Sequence, residues 1–289
     1  MNYLVVSCTT FDMAGRAMIQ GAINGIATLD RHAHFATLEQ PQHHRDGWLP
    51  WYEEPQKTDE AFRWADCVLD ISGLHTNQGN KYQWMAKRLH YKKPYIFMSQ
   101  SYKNNVDKQL FAGNVRVIAR GKRTARRLME QGIECVVAPD LSFLVEPMVG
   151  MPKYRRVFTT HIIKQINPMK ELFDPSVDIQ LIEKEPQPGG RGTVWEPILP
   201  GGRFFYGIPE QLAGIVWNAE EVHTARYQIA CYAILAGKKP IIYTTGQTDY
   251  DEKYDDLMDY YGKTPQELRK EAMVSCQKAW EAVCKSSKK

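Results

Sequence analysis

No stretch of the chain approaches the roughly 18 apolar residues that a helix needs to cross a bilayer, so no membrane span is expected. The apolar start "YLVVSC" also lacks the basic opening and the length of a signal peptide, and a soluble cytoplasmic protein is expected. The six cysteines, Cys8, Cys67, Cys135, Cys231, Cys276 and Cys284, form no CxxC pair. Several sit in apolar runs where a free thiol serves as a small core residue, which fits a reduced, intracellular setting. An excess of one charge is missing too: 37 Lys and Arg stand against 33 Asp and Glu, and a net +4 permits an anionic partner without demanding one. There is no GxGxxG loop and no P-loop, no internal repeat, and no low-complexity segment beyond the basic last residues. His32 with His34, and His43 with His44, lack the Cys or carboxylate spacing of a zinc site, and no metal is expected there.

What remains is a globular composition, 43% hydrophobic and 24% charged over 289 residues. Short runs rich in Val and Ile alternate with helical patterns from end to end, the signature of parallel sheets flanked by helices, so the fold class is α/β. "NYLVVSC" reads as a strand. "GRAMIQGAINGIATL" follows as a helix with Met18, Ile19, Ala22, Ile23 and Ile26 spaced for one face. "ADCVLDIS", "PYIFMSQ", "VRVIARG" and "ECVVAPD" continue the pattern, with Gly132 closing the helix "KRTARRLMEQG". Pro147, Gly150 and Pro152 then punctuate the chain before a second α/β pattern, which divides it into residues 1–148 and 149–289, the latter ending in a helical tail. Two such domains face a ligand across a cleft, outside the carboxyl ends of their strands.

In "EEVHTARYQIACYAIL" a strand passes into a helix at Thr224, Ala225 and Arg226, so helix amides and a guanidinium converge where an anion, most naturally a phosphate, would sit. The structural alternative is that Thr224 caps the helix and Arg226 pairs with Glu220 or Glu221. His223 alternates along the strand and can point away from such a site. Thr245 ends the next strand in Thr-Thr-Gly. The first turn, "SCTTFDMAGRAM", supplies Thr10, Asp12 and Gly15; Asp12 is suited to act as a general base toward a hydroxyl, or equally to cap the helix that follows. Ser72, His75, Gln100 and Ser101 stand at further strand ends and would line the same face of a parallel sheet. The basic clusters "HYKK", "GKRTARR" and "KYRR" are expected as solvated faces, or as a phosphate-backbone surface if they gather.

The order of these motifs resembles the polysaccharide pyruvyl transferase family. "FDMAGRAMIQGAINGI", "ADCVLDISGL" with "KPYIFMSQSY", "VIARGKRTARRLMEQGIECVVAPDLSFLV" and "VHTARYQIACYAILAGKKPII" are each similar to a family segment and together span most of the chain. The resemblance implies two Rossmann-like domains in a GT-B arrangement, the last segment facing the donor. Where the family has an acid-catalytic histidine after Arg-Tyr, this chain has Gln228, which cannot donate and recover a proton. Asp12 stands at the family's Asn position, and Gly121 where an acidic residue usually follows arginine. Sugar transfer from a nucleotide-sugar tolerates these changes, because it needs a base, cations for the leaving diphosphate and no acid on the donor side.

The expected activity is therefore a GT-B glycosyltransferase using a nucleotide-sugar such as a UDP-sugar, with Asp12 as base. Thr224, Arg226, His223, Gln228, Thr245 and Lys253 are expected on the donor side, and Thr10, Gly15, Ser72, His75, Gln100 and Ser101 on the acceptor side. No tightly bound cofactor is expected, and the need for a divalent metal is left open. The acceptor is a hydroxyl, a hydroxylated base in DNA among the candidates, as in phage DNA glycosyltransferases of this architecture. The alternatives are pyruvyl transfer from phosphoenolpyruvate, with His223 or His161 in the role Gln228 has lost, and a relative that binds without turnover.

Overall fold

The computed structural model describes residues 1–7, 13–39, 55–71, 74–75, 79–102, 106–159, 168–182, 199, 203–204, 208–244, 246 and 251–286. In the first half the apolar runs become strands, those at Cys67–Asp70 and Tyr95–Tyr102 buried throughout, as a parallel sheet between helices requires. The elements are β1 (Asn2–Ser7), α1 (Met13–Leu29), β2 (His34–Glu39), α2 (Pro55–Trp64), β3 (Cys67–Asp70) and β4 (Leu74–His75). They continue with α3 (Gly79–His90), β5 (Tyr95–Tyr102), β6 (Val115–Ala119), α4 (Lys122–Glu130) and β7 (Val136–Val137). The sheet order is β2-β1-β3-β5-β6-β7, with β4 also paired to β5, and every pairing is parallel. The chain leaves β1 outward to β2, then crosses back to β3, so the sheet reverses direction between β1 and β3, where Val6 pairs with Asp70.

The second half repeats this plan. It holds β8 (Arg156–Thr159), β9 (Ile179–Ile182), β10 (Arg203–Phe204), α5 (Pro209–Asn218), β11 (Glu221–Thr224), α6 (Tyr227–Leu235), β12 (Ile241–Ile242) and α7 (Pro265–Ser286). Its parallel order, β10-β9-β8-β11-β12, reverses between β8 and β11, where Thr159 pairs with Thr224.

The halves share one core. Tyr227, Ala230, Cys231 and Ile234 of α6 pack in the same buried cluster as Met18, Ala22 and Ile26 of α1. Close approach depends on two glycines of α1: a Cβ on Gly21 would press into the Leu141 carbonyl, and one on Gly25 into the Cys276 sulfur. In sequence α7 belongs to the second half; in space it lies on the first, with Leu268, Ala272, Cys276, Ala279 and Val283 forming its buried stripe. β5 bends to meet it. Its register shifts between Phe97 and Gln100, and Ser99, at φ +47°, shares a 2.8 Å hydrogen bond with Ser275 of α7.

Candidate functional site

Crevices for ligands in parallel sheets lie at the carboxyl ends of strands where the order reverses. In the second sheet that point is the end of β8 and β11, and the turn Ala225–Arg226 leaves it directly into α6. Thr224 Oγ1 stands 2.5 Å from Thr159 Oγ1 across the reversal and accepts the Arg226 amide at 2.8 Å. Thr224 is thus a buried brace of the turn. Arg226, half-buried in extended backbone, immediately precedes the first helical residue of α6, and the start of a helix carries partial positive charge.

Side chains from elsewhere hold this turn. The Tyr254 hydroxyl donates to the Ala225 carbonyl at 2.6 Å, and its ring stacks on Tyr227 at 6.0 Å. Tyr227 also lies over the Arg120 guanidinium, 3.7 Å from ring centroid to Cζ. Arg120 comes from the end of β6, is only 1% exposed, and donates to Asp140 at 3.0 Å and to Ser101 Oγ at 2.8 and 3.0 Å. Burial works against its charge, but Tyr227 and the Asp140 carboxylate outweigh it and raise its pKa above the ordinary arginine value.

The 3-10 segment Glu252–Tyr260, which contains Tyr254, reaches across to the first sheet. Asp256 accepts from Thr124 Oγ1 at 2.6 Å, from the Thr124 amide at 3.3 Å and from Ser101 Oγ at 3.3 Å. Asp259 accepts the Lys122 amide at 3.1 Å, and the Tyr260 hydroxyl donates to the Arg120 carbonyl at 2.6 Å. Two carboxylates thereby satisfy the amides at the start of α4. Gly121 is required there, since a Cβ would run into the Asp256 side chain.

The other sequence-based candidates are spread over both halves. Gln228 sits between the halves, its amide 3.2 Å from Met18 Sδ, so the helices that leave the two reversal points touch each other there. Ser101 and Lys253 come together, lining a small depression with Thr124, Arg123, Arg127 and Glu252; Lys253 is buried. Ser101 and Gln100 are buried, and Gln100 is committed to Asp70, donating to its carbonyl at 2.7 Å and its carboxylate at 2.8 Å.

His223, expected on the donor side or pointing away from it, is buried on β11. It stacks on Phe158 at 4.6 Å, shares a 3.0 Å bond with Tyr243 and lies 3.2 Å from Glu221. Strand alternation puts it on the face opposite Thr224. Gly15 lies within α1, and His75 in β4 pairs in register with Tyr102. Thr10, Asp12, Ser72, Thr245 and His161 lie outside the described residues. The backbone places the strands preceding Asp12 and Ser72 side by side, as β1 and β3.

Arg120, Asp140, Tyr227, Tyr254 and Asp256 carry the junction without having been singled out one by one. For Tyr254 and Asp256 the sequence signal is the acid-rich run "DEKYDDLMD", opposite in sign to "GKRTARR"; Arg120, Asp140 and Tyr227 lie outside both runs. The two runs meet: Arg123 pairs with Glu252 at 2.8 Å and with Asp255, Arg127 with Glu252, and Lys122 with Asp259 at 3.8 Å. "KYRR" is paired as well, Lys153 with Glu220 at 3.0 Å and Arg156 with Asp178 at 2.9 Å. Lys93 of "HYKK" donates to the Arg63 and Ala65 carbonyls. Much of the basic charge is therefore spent within the chain. Among the described residues no group of three His, Cys, Asp or Glu is placed to hold a metal ion, and no helix is long and apolar enough to cross a membrane.

The chain is similar in fold to the UDP-GlcNAc 2-epimerase from Neisseria meningitidis bound to UDP-GlcNAc, with a TM-score of 0.53, 9% identity, and 99% of this chain and 100% of that one covered. It is similar to S. aureus MnaA in its co-structure with UDP, at 0.54 and 9% identity over 95% and 90% of the chains. A UGT transferase from Siraitia grosvenorii in complex with UDP gives 0.52 and 8% over 98% and 93%. These likenesses, with the two parallel sheets, establish an α/β protein of GT-B type with two Rossmann-like domains. No protein-family model matches the chain, and no curated protein does, so the pyruvyl transferase resemblance rests on the sequence motifs alone.

Proposed function

We propose that the protein is a GT-B enzyme that binds a nucleoside diphosphate sugar, a UDP-sugar, at the Thr224–Gln228 turn and transfers the sugar to a hydroxyl presented by the first domain. The observation that carries this is the placement of Arg226 and the start of α6 at the reversal point of the second sheet. Structures of the same fold from Neisseria, Staphylococcus and Siraitia contain UDP or UDP-GlcNAc, which supports a uridine diphosphate as the ligand. In the reaction Asp12 takes the proton of the acceptor hydroxyl, whose oxygen attacks the anomeric carbon. The bond to the diphosphate breaks, and Arg226 with the α6 amides receives the developing charge.

Pyruvyl transfer is less well supported, because it needs a proton donor at the turn. Gln228 cannot serve and His223 is buried on the other face of the sheet. Charge offers little for DNA as acceptor, since the basic runs are largely paired internally; a glycan or small-molecule hydroxyl is the favoured class.

The test is UDP release from UDP-sugars in the presence of glycan, small-molecule and hydroxymethylated-DNA acceptors. Acceptor-dependent release is expected, slowed by about 10²–10⁴-fold in Asp12→Asn. Epimerised UDP-sugar without acceptor, or product formed from phosphoenolpyruvate, would replace the transfer reading. UDP binding with no product from any of them would make the chain a binding relative.

A further inference from the structure

We infer that Tyr254 is a positioning residue for Arg226, and that the Glu252–Tyr260 segment is a strap that sets the donor-side turn against the first domain. This rests on reading that turn as the diphosphate site. Each residue of the turn is fixed by a separate contact. The Ala225 carbonyl accepts the Tyr254 hydroxyl at 2.6 Å, the Arg226 amide is held by Thr224 at 2.8 Å, and Tyr227 is stacked against both Tyr254 and Arg120. Thr224 belongs to the same strand-to-helix connection. Tyr254 and Arg120 come from elsewhere, and both are buried.

The strap's other end is fastened to the first domain. Two residues after Tyr254, Asp256 binds Thr124 and Ser101, and Tyr260 binds the carbonyl of Arg120, the residue beneath Tyr227. The circuit closes through Arg120: turn to Tyr254, Tyr254 along the strap to Tyr260, Tyr260 to Arg120, Arg120 back to Tyr227. A bound diphosphate at Arg226 therefore meets a backbone whose position relative to the acceptor-side domain is set by the strap. A 1 Å misplacement of a charged donor weakens an ionic hydrogen bond without unfolding anything.

The experiment uses the full chain as wild type, Tyr254→Phe, Asp256→Ala and Arg226→Ala. UDP affinity is measured by calorimetry and uridine affinity by ligand-observed NMR. Tyr254→Phe keeps the ring stack and removes only the hydroxyl. It is expected to weaken UDP about fivefold to tenfold, the scale of one buried hydrogen bond, and to leave uridine unchanged. Asp256→Ala, which frees the anchor and leaves the turn's own contacts in place, is expected to weaken UDP about threefold with the same split. UDP binding that is lost in Arg226→Ala yet unchanged in both strap variants would overturn the inference and keep the diphosphate reading. Equal losses for UDP and uridine would also overturn it, as a general loosening. Absence of UDP binding by the wild type would instead remove the diphosphate reading, and the inference with it.

Discussion

His223 shows how much one position on a strand decides. Burial holds its imidazole pKa below the ordinary value, against the pull of the neighbouring Glu221. The unfolded chain, with a histidine near its usual value of about 6.5, takes up the proton first as pH falls. The stability this side chain contributes is therefore complete above that value and declines as pH drops toward the lower folded value. Replacing it with phenylalanine, which can keep the stack on Phe158, should flatten the fall in melting temperature between about pH 7 and pH 5; an unchanged slope would show that other groups govern it. The sequence left the direction of His223 open, because alternation gives two faces and no local signal says which one meets the ligand. The part Thr224 plays in holding the turn was legible in the sequence; its pairing with Thr159 across 65 residues was not.

At the scale of elements, the strands and helices followed from periodicity: α1, α4, α6, β1, β3 and β5 fall where the apolar patterns put them. Less legible was how helices meet. Gly21 and Gly25 are spaced one turn apart on α1, and their lack of side chains lets the Leu141 carbonyl and Cys276 come close. Gly21→Ala would push a methyl into backbone that has no room to yield. It is expected to cost about 1–3 kcal/mol in urea unfolding, well beyond the small gain from better helix propensity. A neutral or stabilised variant would show that α1 and the Leu141 segment can slide apart. The strap was hidden for a similar reason. Its acidic residues carry no local sign of their partners, which lie on α4 about 130 residues earlier in the chain.

Over the whole molecule, α/β class was visible in composition and pattern, and GT-B architecture in the order of motifs; the solved structures of like fold agree on both. What the sequence could not supply was the return of α7 to the first sheet and the shared core it builds there, since both rest on contacts between the chain's two ends. That core brings α1 and α6 together, and with them the helices that leave both reversal points. The functional account depends on one of these points holding a diphosphate. It is tested most directly by titrating the protein with UDP, in parallel with Arg226→Ala, following binding by calorimetry. The account predicts saturable 1:1 binding by the wild type that falls about tenfold or more in the variant, the loss of a charge-assisted contact. Equal affinity in the two proteins, or no binding by either, would contradict it.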